Sequence, residues 1–231
     1  WRDRGAMMGI YDYFSVVAWD WNKPRRAIGG RPLQLAKRIP GFYNNGARFF
    51  TAEAGDAWGP YGLGFYVASR LLWDVSEAER VREIVDEFVG NCFGPAREPM
   101  ADFYELIAIS GRAPAEALPR MYRDLAAARK QAGGFPKVLR RLDDLTLYTR
   151  YFELRNDFEK AAKPDRAEAR DRLLTHAYRM RKRMMIHNFA IWVRMLNKKA
   201  ANRDHPLKTN EPFSTNEIEE IIREGLERET W

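Results

Sequence analysis

Three carboxylates near the start of the chain stand where they could do chemistry. Asp12 follows the apolar run Ala6-Met7-Met8-Gly9-Ile10-Tyr11, and Glu53 and Asp56 follow a second run, Ala47-Arg48-Phe49-Phe50-Thr51-Ala52. Aromatic residues crowd both places: Tyr11, Tyr13, Trp19 and Trp21 at the first, Trp58 and Tyr61 at the second. Several lie beside Gly, Pro, Asn and Asp, which favour loops. Carboxylates accept hydrogen bonds from hydroxyls, and aromatic faces stack on the apolar faces of pyranose rings. The set therefore suits a sugar-binding cleft, and two carboxylates about 5–9 Å apart would also suit glycoside hydrolysis. Glu53 is the candidate catalytic residue; Tyr11, Asp12, Tyr13, Trp19, Asp56 and Trp58 are the candidate substrate contacts. Structural alternatives stand beside these roles. Asp12 could bond a backbone amide, Glu53 could pair with Arg48 or Arg70, and the tryptophans could pack between helices and sheet.

The elements that must position these groups read as strand–helix–strand. Both apolar runs have strand character, and Leu33 to Ile39 has helical spacing behind Pro32, a good first-turn residue. Pro40-Gly41 is expected to interrupt that helix. The order favours parallel strands joined by a crossover. A parallel sheet needs helices on both faces and more than two strands, so residues 1–75 are expected to be the C-terminal fragment of a (β/α) barrel. The C-terminal ends of such strands face the active site.

Beyond Pro60 the pattern is helical. Leu63, Tyr66, Val67, Arg70 and Leu71 form one stripe, with Asp74 to Glu77 offering caps for the next. Further helices are expected over Pro95–Ile109, Pro114 to about Ala132, Val138 to about Lys160, and Ala167 to about Ala201 as one long helix. Ser214 or Thr215 should cap a last one, with Glu217 in its first turn. Residues 76–231 thus read as a helical domain. The fold class is mostly α with a small α/β part: terminal strand–helix units of a TIM-like barrel followed by a C-terminal helical domain.

Composition narrows the function classes. No stretch of the 231 residues approaches the ~18 consecutive apolar residues of a membrane span, so no membrane partner is expected. The single cysteine, Cys92, forms no internal disulfide and reads as a small buried residue. His176, His187 and His205 lack helical ligand spacing, so no metal site is expected; His187, in line with Met180, Met184 and Ile191, reads as a packed histidine. No glycine-rich nucleotide loop, phosphate loop or Gly-x-Ser-x-Gly elbow occurs, and no cofactor is expected.

Charge is uneven. Residues 1–110 hold 13 basic and 14 acidic side chains, while residues 111–231 hold 26 and 18. Arg172 to Arg203 contains nine basic residues and no acid, densest at Arg179-Met180-Arg181-Lys182-Arg183. Such a run could hold phosphates. The same segment carries a full apolar stripe, so a solvated helix face is the stronger reading and nucleic acid is not the expected partner.

Several segments together resemble a bacterial family of uncharacterised glycoside-hydrolase-like proteins, in which a barrel follows an alpha-glucuronidase-type N-terminal domain and a helical domain closes the chain. They are Gly9-Ile10-Tyr11-Asp12-Tyr13, Gly46-Ala47-Arg48-Phe49-Phe50 leading to Glu53, Tyr66-Val67-Ala68-Ser69-Arg70-Leu71-Leu72-Trp73-Asp74, Phe93-Gly94-Pro95-Ala96, and Pro212-Phe213-Ser214-Thr215-Asn216-Glu217-Ile218. The resemblance implies that the two strands are late barrel strands. It implies a principal catalytic acid on a middle strand before Trp1, with Asp12, Tyr13, Glu53 and Trp58 as substrate contacts. The partners it implies are a carbohydrate and an upstream barrel segment of the same protein. A non-catalytic helical protein-interaction module is the alternative from a different class.

Overall fold

A computed structural model describes residues 4–15, 31–109 and 117–228. Trp19 and Trp21 lie outside the described residues. The chain is mostly helical with one small parallel sheet. Strand β1 (Met8–Tyr13) and strand β2 (Ala47–Glu53) flank helix α1 (Pro32–Asn44). The strands pair in parallel with Tyr11 opposite Thr51 and Tyr13 opposite Glu53, after an irregularity between Met8 and Gly9.

Helix α1 starts on Pro32 as its spacing predicts, but it runs through Pro40 instead of stopping there. The ring costs one backbone hydrogen bond. Against that loss, Leu35 and Ile39 are buried and Phe42 packs on Phe50, 6.3 Å between ring centres. Asn45 caps the helix, and Gly46, with φ +95°, then turns the chain directly into β2 at little steric cost.

Helix α2 (Trp58–Trp73) begins two residues before Pro60, buries Leu63, Val67 and Leu71 and packs on α1. Phe65 stacks with Phe14 below the sheet, 6.3 Å between centres. Asp74 then accepts the Ser76 amide and caps a short 3-10 segment (Val75–Arg80). Helices α3 (Val81–Phe93), α4 (Arg97–Ile109) and α5 (Ala117–Gln131) follow, and the long α6 (Pro136–Lys160) runs through the middle. Side chains are buried all round α6: Leu145, Thr146, Leu147, Tyr148 and Thr149 in succession. An all-round buried helix must satisfy its polar side chains, and Thr146 and Thr149 do so by donating to the carbonyls of Leu142 and Leu145.

The single helix predicted over Ala167 to Ala201 is three helices: α7 (Arg166–Arg179), α8 (Asn188–Met195) and α9 (Lys198–Asn202). The physical reason lies at Met184-Met185-Ile186. Three consecutive apolar residues cannot share one helix stripe, and Met185 and Ile186 are both buried here. Met184 takes φ +55° to turn the chain, and its carbonyl accepts the Gly59 amide at the start of α2. In helix α10 (Thr215–Glu227) the cap is Ser214, the first of the two expected candidates, and it forms a box: Ser214 accepts the Glu217 amide while the Glu217 carboxylate accepts the Ser214 amide. One apolar cluster runs from Phe14, Leu35 and Ile39 through α2, α3 and α6 to Ile218 of α10.

Candidate functional site

The strand pair has two unlike faces. Ile10, Asp12, Phe50 and Ala52 are at least partly covered, on the side where α1 and α2 lie; Gly9, Tyr11, Tyr13, Phe49, Thr51 and Glu53 alternate with them and are exposed. This alternation sorts the candidate residues. Tyr11, Tyr13 and Glu53 share the bare face. Asp12 is on the other, where its carboxylate accepts Arg38 at 2.8 Å and the Tyr13 amide at 2.8 Å, with the side chain only 13% exposed. Asp12 thus makes the backbone bond that was its structural alternative, to the Tyr13 amide, and adds an ion pair with Arg38 that the sequence did not suggest.

On the bare face the Tyr11 phenol donates to the Glu53 carboxylate. Tyr13 meets Tyr11 edge-on, ring centres 5.2 Å apart. Neither arginine that could have neutralised Glu53 does so: Arg48 donates to the carbonyls of Tyr43 and Ala47, and Arg70 donates to Glu77 and Glu87. The hydrogen bond to Glu53 raises the Tyr11 pKa, helped by desolvation and by Tyr13. A phenol pushed in that direction stays protonated, so Tyr11 is a donor that orients the carboxylate and not a nucleophile. Glu53 keeps acceptor capacity for a further donor, such as a hydroxyl.

Three residues further on, the chain turns into α2. The Trp58 amide donates to the Asp56 carbonyl, and the Trp58 ring, 52% exposed, meets Phe65 edge-on at 4.8 Å. The Asp56 carboxylate faces His187, with Oδ2 3.6 Å from Nε2. His187 is not the packed histidine that its spacing suggests. The break after α7 makes it the N-cap of α8, where Nδ1 accepts the Ala190 amide at 3.2 Å, and its ring edge turns to the end of β2. Sequence reasoning missed this residue; the off-stripe run Met184-Met185-Ile186 was the signal that the helix could not continue. Contact between the two segments is close, for a Cβ on Gly59 would stand 2.0 Å from Met185 Sδ.

The basic run is engaged within the protein. Arg179 donates to Glu217 and lies over the Phe213 ring, Arg181 donates to Asn210 and lies over Tyr178, and Arg183 donates to Asp144. Among the described residues no cluster of three or more His, Cys, Asp or Glu could hold a metal ion, and no helix is long and apolar enough to cross a membrane. Comparison with protein-family models, with curated proteins and with solved structures finds no match for this chain.

Proposed function

We propose that this chain is the C-terminal portion of a glycoside-hydrolase-like protein that binds or hydrolyses a polysaccharide or oligosaccharide, with Glu53, Tyr11, Tyr13, Asp56 and Trp58 contacting sugar. The observation that carries the reading is the exposed Tyr11–Glu53 pair at the C-terminal ends of two adjacent parallel strands, with the exposed Trp58 following Glu53 in the chain. A carboxylate that among the described residues is held by a protonated phenol and by no cation is a hydroxyl acceptor, and an exposed indole offers a stacking face. Such clefts lie at this end of parallel strands in barrels.

The barrel part of the proposal is supported by the state of the sheet. Parallel sheets are ordinarily covered on both faces. Here one face carries Tyr11, Tyr13 and Phe49 in the open, and among the described residues each strand has a single partner. Further strands of the same barrel would cover that face and leave its rim free. The chemistry of this portion is then support: Glu53 fixes sugar hydroxyls while a principal acid comes from another strand.

Glycan-array binding by the native protein that carries this chain, compared with its Glu53→Gln variant, tests the reading. Loss of binding or turnover in the variant is expected; unaltered binding and turnover would remove Glu53 from the site. A second reading, a helical protein-interaction module, has its own observation: Trp73 at the end of α2 is 94% exposed, beside Leu72. It expects a protein partner whose capture is lost on Trp73→Ser and kept on Glu53→Gln.

A further inference from the structure

We propose that His187 and Asp56 act as one donor–acceptor unit that grips a ligand hydroxyl, so that the loop after α7 completes the site at the end of β2. The proposal rests on the carbohydrate reading and adds a residue that the strand pattern does not supply.

The tautomer follows from the cap. His187 Nδ1 accepts the Ala190 amide, so in the neutral ring the proton sits on Nε2. Nε2 lies 3.6 Å from Asp56 Oδ2, too long for a good hydrogen bond between them and too short for an atom on the line joining them. An oxygen to one side of the pair, about 2.8 Å from each, can accept from Nε2–H and donate to Oδ2. A hydroxyl does both at once, whereas a carboxylate or phosphate lacks the proton and an ammonium lacks the lone pair. The pair is therefore selective for the group that sugars present.

Both partners are held in place. Asp56 is tied to the first turn of α2 through the Trp58 amide. His187 is fixed by its cap, and the loop before it is pinned by the Gly59 amide on the Met184 carbonyl and by buried Met185 and Ile186. The imidazole is partly exposed, its side chain at 20%, and the carboxylate more so at 55%, so a ligand reaches both. Trp58, two residues after Asp56 and bonded to its carbonyl through the amide, is exposed and offers a stacking surface next to the hydroxyl grip in the chain.

The cap and the grip can be separated by mutation. His187→Asn keeps a short cap acceptor for α8 and withdraws the Nε2 donor; His187→Gln returns an N–H donor near the Nε2 position. Binding of cello-, xylo-, malto- and chitohexaose to the native protein is measured by titration calorimetry, with thermal melting of each variant as the check on folding. His187→Asn should melt like the wild type and bind its best hexaose about tenfold more weakly, the loss expected for one good hydrogen bond. His187→Gln should recover most of that affinity. The double variant His187→Asn with Asp56→Ala should be no weaker than the weaker single variant, because the two act on one hydroxyl. A folded His187→Asn that binds as well as wild type, or additive losses in the double variant, would overturn the unit alone. A wild type that binds none of the sugars would overturn the carbohydrate reading and the unit with it.

Discussion

Two of the protein's tyrosine–glutamate hydrogen bonds have the same chemistry and opposite surroundings. Tyr122 of α5 donates to Glu153 of α6 at 2.6 Å, and both side chains are buried, Glu153 at 3% exposure. That carboxylate also accepts Arg150 at 2.7 Å and Arg228 at 2.6 Å, and those arginines reach on to Glu224 and Asp157. Desolvation is the main cause that lifts the Tyr122 phenol well above its ordinary range. At the strand ends Tyr11 donates to Glu53 in the open, with no cation on the carboxylate among the described residues, and the hydrogen bond itself is the main cause of the Tyr11 shift. A buried carboxylate must have its charge and lone pairs met from inside, since their desolvation is otherwise too costly. An exposed one need not, and its remaining capacity is open to a ligand. The first pair is architecture; the second has the form of a site.

The largest effect that would sharpen this contrast is on stability at the buried pair. Glu153→Ala leaves Arg150 and Arg228 facing each other without their shared acceptor and should cost about 4 kcal/mol in urea unfolding. Acid should follow. His176, against Phe213 and with Nε2 2.9 Å from the Leu147 carbonyl, is held neutral by burial, its pKa lowered from 6.5 to about 4. The unfolded chain takes up that proton near pH 6.5 and the folded one only near 4. Stability is thus fully present above 6.5, falls as pH drops towards 4 by about 3 kcal/mol, and gains no further loss from this group below that. Unfolding curves at stepped pH, with His176→Gln removing this slope, check the sign.

A smaller effect is expected at Gly225, where a Cβ would meet the Tyr122 ring at 2.4 Å. The ring is buried and its hydroxyl is tied to Glu153, so it cannot swing away. Gly225→Ala should cost about 2 kcal/mol by overpacking. Least of all should happen to stability at the exposed pair. Tyr11→Phe and Glu53→Gln should melt with the wild type, while both lose oligosaccharide affinity. A marked drop in melting temperature from Glu53→Gln would break the comparison, because it would make the strand-end pair architectural too.

Local pattern carried far for elements whose identity rests on nearby residues. Pro32 starting α1, the Ser214–Glu217 box and the order β1–α1–β2 all follow from neighbours in the chain. Glu53 and Trp58 could be singled out because a carboxylate and an indole just after a strand end combine a hydroxyl acceptor with a stacking face. The face of Asp12 was not legible. Alternation separates it from Tyr11 by half a turn of the strand, but only packed helices decide which side is the inner one.

Sequence by itself determined the residue types available for chemistry, the parallel strand order and the helical remainder, since these depend on periodicity and caps a few residues long. Tertiary structure alone decided what each charge would meet. Arg179, Arg181 and Arg183 found partners across more than one helix, Glu53 met the Tyr11 phenol, and His187 came to Asp56 from 131 positions away in the numbering. The reason is one of range: a cap or a stripe is won within a turn or two of backbone, whereas the neutralisation of a side chain depends on whichever surfaces the core brings together.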